Sequence, residues 1–143
     1  MKRHSLFFML LVVFSAFALT ACAGGKAPTQ KDLTHHRFVL TSVDGQAYAK
    51  TEQLPEIEFL EGFRVAGSMC NRFTGKGELS GNTLTVKQMA STKKLCIDGN
   101  LNKLEMQLAR MLQAGAEISL DNGTLTLKQG GHVLVYTAKD WVR

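Results

Sequence analysis

From His35 onward the chain alternates apolar and polar residues in short runs, separated by glycine-containing turns. Arg37 to Val43 (RFVLTSV) puts Phe38, Leu40 and Ser42 on one face and Val39, Thr41 and Val43 on the other, the period of a strand. Asp44-Gly45 is a turn signal. Ala47 to Leu54 is ambiguous, and Pro55 excludes a central-strand position there. Glu56 to Leu60 alternates, which predicts Ile57 and Phe59 buried beneath exposed acids. After Glu61-Gly62 the run Phe63 to Gly67 alternates again, so the two runs read as a hairpin.

Gly67, Gly75 and Gly77 then bracket Ser68-Met69-Cys70-Asn71-Arg72-Phe73-Thr74, where the backbone needs a positive φ or a close approach. Ser80-Gly81-Asn82 turns the chain into the strand-like Thr83 to Lys87, and Gln88 to Leu95 reads as a further short strand. The period then changes. Between Asp98 and Ala114, Leu101, Leu104, Leu108, Met111 and Leu112 fall on one helical face, with Asn102, Lys103, Gln107 and Arg110 on the other. Asp98 or Asn100 is the expected N-cap and Gly115 the left-handed stop. The apolar stripe is expected to lie on a sheet. The tail is a meander: Glu117 to Leu120, the hairpin signal Asp121-Asn122-Gly123, Thr124 to Lys128, the turn Gln129-Gly130-Gly131, and His132 to Thr137. Val133-Leu134-Val135-Tyr136 is apolar throughout and predicts a strand buried on both faces. Lys139 to Arg143 is a short end whose Trp141 packs or frays. The segment Leu79 to Lys87 echoes Leu120 to Lys128, which reads either as a remnant of duplication or as two hairpins solving one turn problem. The pattern as a whole predicts an α+β, β-dominated, antiparallel domain with one helix over about 98–114.

The N-terminus is of a different kind. Met1 to His4 is a basic lead, Ser5 to Leu19 is almost wholly apolar, and the run is too short for a comfortable membrane span. This predicts a secretory signal peptide over residues 1–21. Leu19-Thr20-Ala21-Cys22 resembles the lipobox of bacterial lipoproteins, and that resemblance implies cleavage before Cys22 and lipidation of its sulfur, with acyl chains as a membrane anchor. The lack of Asp after Cys22 resembles sorting to the outer membrane, at its periplasmic face. Residues 22–33, rich in small and polar side chains, read as a flexible tether, and 34–143 as the domain.

Export alters the charge balance. The chain of 143 residues holds 17 basic and 12 acidic side chains, but Lys2 and Arg3 lie in the predicted signal. The remainder is +3, which needs no nucleic-acid partner. Export also leaves two cysteines, Cys70 and Cys96, in an oxidising compartment. An even pair there reads as one disulfide.

His35-His36-Arg37-Phe38-Val39-Leu40, Ile57-Glu58-Phe59, Gly67-Ser68-Met69-Cys70-Asn71-Arg72-Phe73 and Leu79-Ser80-Gly81-Asn82 together resemble the META domain family, and within it the HslJ-like heat-shock lipoproteins. The shared motif falls on Gly67, Cys70, Asn71, Phe73 and Gly75, then Thr92 and Cys96 ahead of the helix. Asp98-Gly99 departs from it, standing where relatives can have Asn-Pro. The resemblance covers about His35 to Thr137. It implies a curved antiparallel sheet or partial barrel with the helix packed across it, a link to heat or envelope stress, and no known reaction.

Candidate chemistry is sparse. His35 and His36 are adjacent, so from a strand they point to opposite faces and do not serve one metal ion. His132, beside Gly131, reads as a solvated turn residue. Cys70 beside Asn71 lacks a local protease signature, and Cys70 and Cys96 lack redox spacing. Arg72, Lys76, Lys93 and Lys94 form either a basic patch around the disulfide or a solvated face. The expectation is a non-catalytic, lipid-anchored envelope protein with no cofactor, metal or nucleic acid, acting as a binding or scaffolding module for an envelope protein. The alternative, implied by the likeness of META domains to secretin-pilot lipoproteins, is a pilot-like carrier holding an acyl chain or apolar peptide in a groove between sheet and helix.

Overall fold

A computed structural model of the chain describes residues 26–48 and 54–141. The predicted signal peptide and Cys22 lie outside the described residues. Among the described residues nine strands are joined in one antiparallel sheet: β1 (His36–Val43), β2 (Gln46–Ala47), β3 (Glu56–Leu60), β4 (Arg64–Ser68), β5 (Arg72–Ser80), β6 (Thr83–Ser91), β7 (Ala116–Asp121), β8 (Thr124–Gln129) and β9 (His132–Trp141). α1 (Gln30–Leu33) precedes β1, and α2 (Gly99–Ala114) lies between β6 and β7.

From β3 to β9 each strand pairs with the next, β1 pairs with β2 and β3, and β1 also pairs with β9 from His36↔Trp141 to Val43↔Leu134. That last pairing closes an eight-stranded barrel, with β2 a short addition to β1. The expected curved sheet or partial barrel is therefore corrected to a closed one. Closure removes the exposed edges a curved sheet would leave on its first and last strands. It also corrects the reading of Val133 to Tyr136. A barrel strand has one inner face, so Leu134 and Tyr136 are fully buried while Val133 and Val135 are half-buried outside. Gln88 to Leu95 is not a separate strand. β6 continues to Ser91 through a bulge, where Gln88 (φ 52°) and Met89 oppose the single residue Gly75.

The two echoing hairpins solve the turn differently. Asn122-Gly123 has positive φ at both positions (46° and 77°), whereas the Gly81-Asn82 turn has it only at Gly81 (58°). The echo extends to the strands and stops at the turn geometry.

The stretch read as a tether is docked from Lys26. The Lys26 carbonyl accepts from Leu120 N at 2.9 Å, Pro28 is buried, and Thr29 and Asp32 cap α1 reciprocally. α1 then places Leu33 wholly inside the core. One leucine in a polar segment gives no period, so the pattern conceals this docking.

α2 does not lie on a sheet face as expected. It crosses the barrel mouth formed by the end of β1, the β4–β5 turn and the β8–β9 turn. Leu101 and Leu104 border Val43 and Tyr48, Glu105 meets Asn71, and Gln107 and Arg110 border Gly130 and His132. Leu104, Leu108, Met111 and Leu112 fill that mouth. Asp98 caps α2 by accepting from Asn100 N at 2.9 Å, and Gly115 (φ 98°) ends it.

The barrel interior is packed with side chains, among them Phe38, Phe59, Val65, Leu125 and Tyr136. Tyr136 stands out because its hydroxyl is buried with no hydrogen-bond partner among the described residues. Burial pushes the phenol above its ordinary range. Tyr136→Phe is accordingly expected to leave stability unchanged or raise it by about 1 kcal/mol, because it deletes an unsatisfied polar atom while keeping the ring. Thermal melting checks this. A loss of more than about 1 kcal/mol would show that an internal water satisfies the hydroxyl.

Candidate functional site

The motif residues converge at the mouth covered by α2. Gly67 lies near the end of β4. A Cβ there would overlap the Glu56 carbonyl oxygen and stand 2.7 Å from the Phe73 ring, so only glycine lets the β4–β5 hairpin close onto β3. Phe73 covers that position and is itself buried. Gly75 sits opposite the β6 bulge, against Val86 and the Lys87 carbonyl.

The chain then turns through Met69-Cys70-Asn71, and here the site becomes polar. Asn71 is only 5% exposed and uses its side chain fully. Its amide nitrogen donates to Glu105 Oε1 at 2.8 Å and to the Lys94 carbonyl at 3.2 Å. Its carbonyl oxygen accepts from Lys94 N at 2.6 Å and from the Thr92 hydroxyl at 3.0 Å. The paired bonds to Lys94 imitate a strand partner, so the side chain of Asn71 continues the sheet where the backbone of β6 has stopped. Thr92 completes the arrangement by accepting from Arg72 N at 3.1 Å.

Glu105, from the second turn of α2, answers the other side. Its Oε2 accepts from Cys70 N at 3.1 Å and from Asn71 N at 2.6 Å. Two backbone donors of a tight turn are satisfied by one carboxylate, a charge-assisted arrangement. Cys70 and Cys96 are joined by a disulfide, with their Cα atoms 6.0 Å apart, the usual separation. Asn102 Nδ2 donates to the Cys96 carbonyl at 3.1 Å, which ties the same segment to α2 again.

Gly67, Cys70, Asn71, Phe73, Gly75, Thr92 and Cys96 are thus brought together, as a clamp between the β4–β5 turn, the 92–98 segment and α2. The parts played by Glu105 and Asn102 are missing from the sequence reading. Glu105 follows Leu104 and lies one helical turn after Leu101, beside the apolar stripe, and an acid in that position was the available signal. The basic residues Arg72, Lys76, Lys93 and Lys94 are all exposed. His35 does not join the site; its ring meets Glu61 at 3.0 Å, and His132 meets Asp44 at 3.2 Å. The Asp44 carboxyl is held below its ordinary value by the Val133 N–H and then by His132.

The functional groups of the clamp are engaged with one another. The cysteines are bonded together, and each polar atom of the Asn71 side chain has partners within the clamp. The clefts nearby are open. One of about 630 Å³ lies between α2 and the β8–β9 turn, lined by Gln107, Arg110, Gln129 and His132. Another of about 270 Å³ lies between α2 and the end of β1, lined by Val43, Tyr48, Leu101 and Leu104.

A closed barrel sealed at one mouth by a helix, with a Gly…Cys-Asn…Phe…Gly and Thr…Cys clamp holding that helix, defines a class, and the family model described as "META domain" matches residues 31–141. The chain belongs to the META domain family. It is 42% identical over 114 residues to "Heat shock protein HslJ" of Escherichia coli (strain K12), a match covering 80% of this chain and 81% of that protein. Among solved structures it resembles an NMR structure at 42% identity and TM-score 0.71, covering 77% of this chain and 94% of the other. An NMR structure of a protein from Burkholderia xenovorans shares the fold at 16% identity and TM-score 0.66, covering 97% of this chain and 99% of that one. The names of these relatives specify no reaction.

Proposed function

We propose that the chain is a non-catalytic, lipid-anchored protein of the cell envelope, a META-domain module that binds or scaffolds another envelope component under heat or envelope stress. The observation that carries this reading is the self-sufficiency of the clamp: the motif residues bond to one another and hold α2 over the barrel mouth, which makes them architectural. The association with stress comes from the name of the 42% identical relative. The anchor rests on Leu19-Thr20-Ala21-Cys22, and the outer membrane on the residues following Cys22. Lys26 is docked, a short step beyond Cys22 that spans at most about 14 Å. The barrel would therefore sit close to the bilayer.

The carrier alternative would need an apolar cavity. The barrel interior is occupied by side chains; the cleft of about 630 Å³ between α2 and the β8–β9 turn is lined by the polar Gln107, Arg110, Gln129 and His132, and the more apolar groove between α2 and β1 offers about 270 Å³, below the roughly 300–1,000 Å³ usual for small-molecule sites. The binding-module reading is preferred for that reason.

Metabolic labelling of cells with a palmitate analogue tests the anchor. Label is expected on the intact chain and absent from Cys22→Ser. Label that persists in the variant would refute lipidation at this residue.

A further inference from the structure

The clamp holds something out into water that the fold does not need. Leu95 and Ile97 are 95% and 107% exposed, on either side of Cys96. They are not free to fold back. Lys94 is fixed on both its N–H and its carbonyl by Asn71, and Cys96 is bonded to Cys70. Met106, also exposed, lies one helical turn beyond Asn102, which bonds the Cys96 carbonyl. A loop that displays two aliphatic side chains on a covalent and hydrogen-bonded frame is an apolar tip, preceded by Lys93 and Lys94 and followed by Asp98, the cap of α2.

The strand face leading to this tip is cationic. Arg64 pairs with Lys76, and Lys76 pairs with Lys87, so three cations stand in one row across β4, β5 and β6 on the outer face. Like charges opposite one another destabilise a sheet, so the row is not explained by folding. Glu78, which meets Lys87 at 2.8 Å, and Glu61 at the rim offset it in part. Arg72 extends the same face to the tip, because its backbone exchanges bonds with Thr92, just before Lys93.

We propose that the outer face of β4–β6 and the Leu95/Ile97 tip dock on an anionic lipid surface, with the tip in the apolar boundary and the cations among the headgroups. The shape favours a bilayer over an acidic protein. The aliphatic side chains project singly from a loop instead of lining a groove, and two lysines precede them, as in interfacial segments. The docked N-terminal segment is held at Leu120 of β7, at the barrel end away from the tip. The docking therefore does not rest on the proposed anchor, and its test omits it.

The test uses the chain from residue 22 on, carrying Cys22→Ser, in co-sedimentation with vesicles of phosphatidylcholine alone or with one third phosphatidylglycerol. Binding is expected to the mixed vesicles, falling with salt, and at least about tenfold weaker to the neutral ones. Lys93→Glu with Lys94→Glu is expected to weaken it by about 25-fold or more, about fivefold for each lysine. Leu95→Ser with Ile97→Ser is expected to weaken it by about tenfold while keeping the salt dependence. Lys128→Glu, on the outer face of β8, should stay within about twofold and reports non-specific charge attraction. Each variant is checked for an unchanged thermal transition. Absence of binding to anionic vesicles, equal binding to neutral ones, an equal loss in Lys128→Glu, or no effect of the Leu95 and Ile97 changes would each overturn the proposal. Failure here would leave the labelling result at Cys22 standing, so the two readings fall separately.

Discussion

Asn71→Ala is expected to cost about 3 kcal/mol, which for a domain of this size lowers the melting temperature by roughly 10–15 °C. The side chain makes four hydrogen bonds, to Glu105, Thr92 and both backbone groups of Lys94. Alanine removes all four and strands the Lys94 N–H and one Glu105 oxygen with diminished partners. Those orphaned groups, more than the bonds themselves, set the size of the effect. Asn71→Asp is the sharper comparison. It is nearly isosteric, but it replaces a donor 2.8 Å from Glu105 Oε1 with a second carboxylate oxygen. It should therefore be at least as damaging as alanine at neutral pH, despite its size. Chemical denaturation of the parent and the two variants measures this. An Asn71→Asp protein as stable as the parent would overturn the assignment of the Asn71 amide towards Glu105.

Cys70→Ser with Cys96→Ser is the second large effect. The bond spans a sequence separation of 26, and the loop-closure estimate for such a link is about 3–4 kcal/mol. The melting temperature should fall by roughly 10–20 °C, and reductant should produce the same drop in the parent and none in the variant. A fall of less than about 1 kcal/mol would mean that Asn71 and Glu105 already hold the 92–98 segment in place. The two perturbations act on one clamp, so the triple variant should lose less than the sum of the separate losses. Function supplies an independent reading. At a temperature where the doubly substituted protein is still folded, it should keep the stress role proposed for it, because the proposal makes the pair structural. Loss of function in a folded variant would reopen a chemical role for Cys70.

The sequence and the structure agree where short-range physics decides. The strands β3, β7 and β8 follow from alternation, the Asn122-Gly123 hairpin from two residues that accept positive φ, and α2 from an apolar stripe bounded by Asp98 and Gly115. The motif was legible as a cluster because the export expected of this chain makes Cys70 and Cys96 imply each other. Glu105 offered only a weak signal, an acid beside the apolar stripe. An acid on a helix reads as solvated unless something shows which turn it faces, and here the two backbone donors it serves lie 35 and 34 residues earlier. Leu33 was missed for a related reason, since a single buried residue in a polar segment has no period.

By itself, then, the sequence determined the elements, their turns, the helix limits and the pairing of two cysteines, because each depends on residues close in the chain or few in number. Only the tertiary structure decided that β1 meets β9, that the sheet therefore closes, that α2 seals a mouth instead of lying on a face, and that Leu95 and Ile97 are held out on a cationic side. These depend on which edges and faces meet across many tens of residues. Alternation specifies that a face is apolar; it does not specify what covers it.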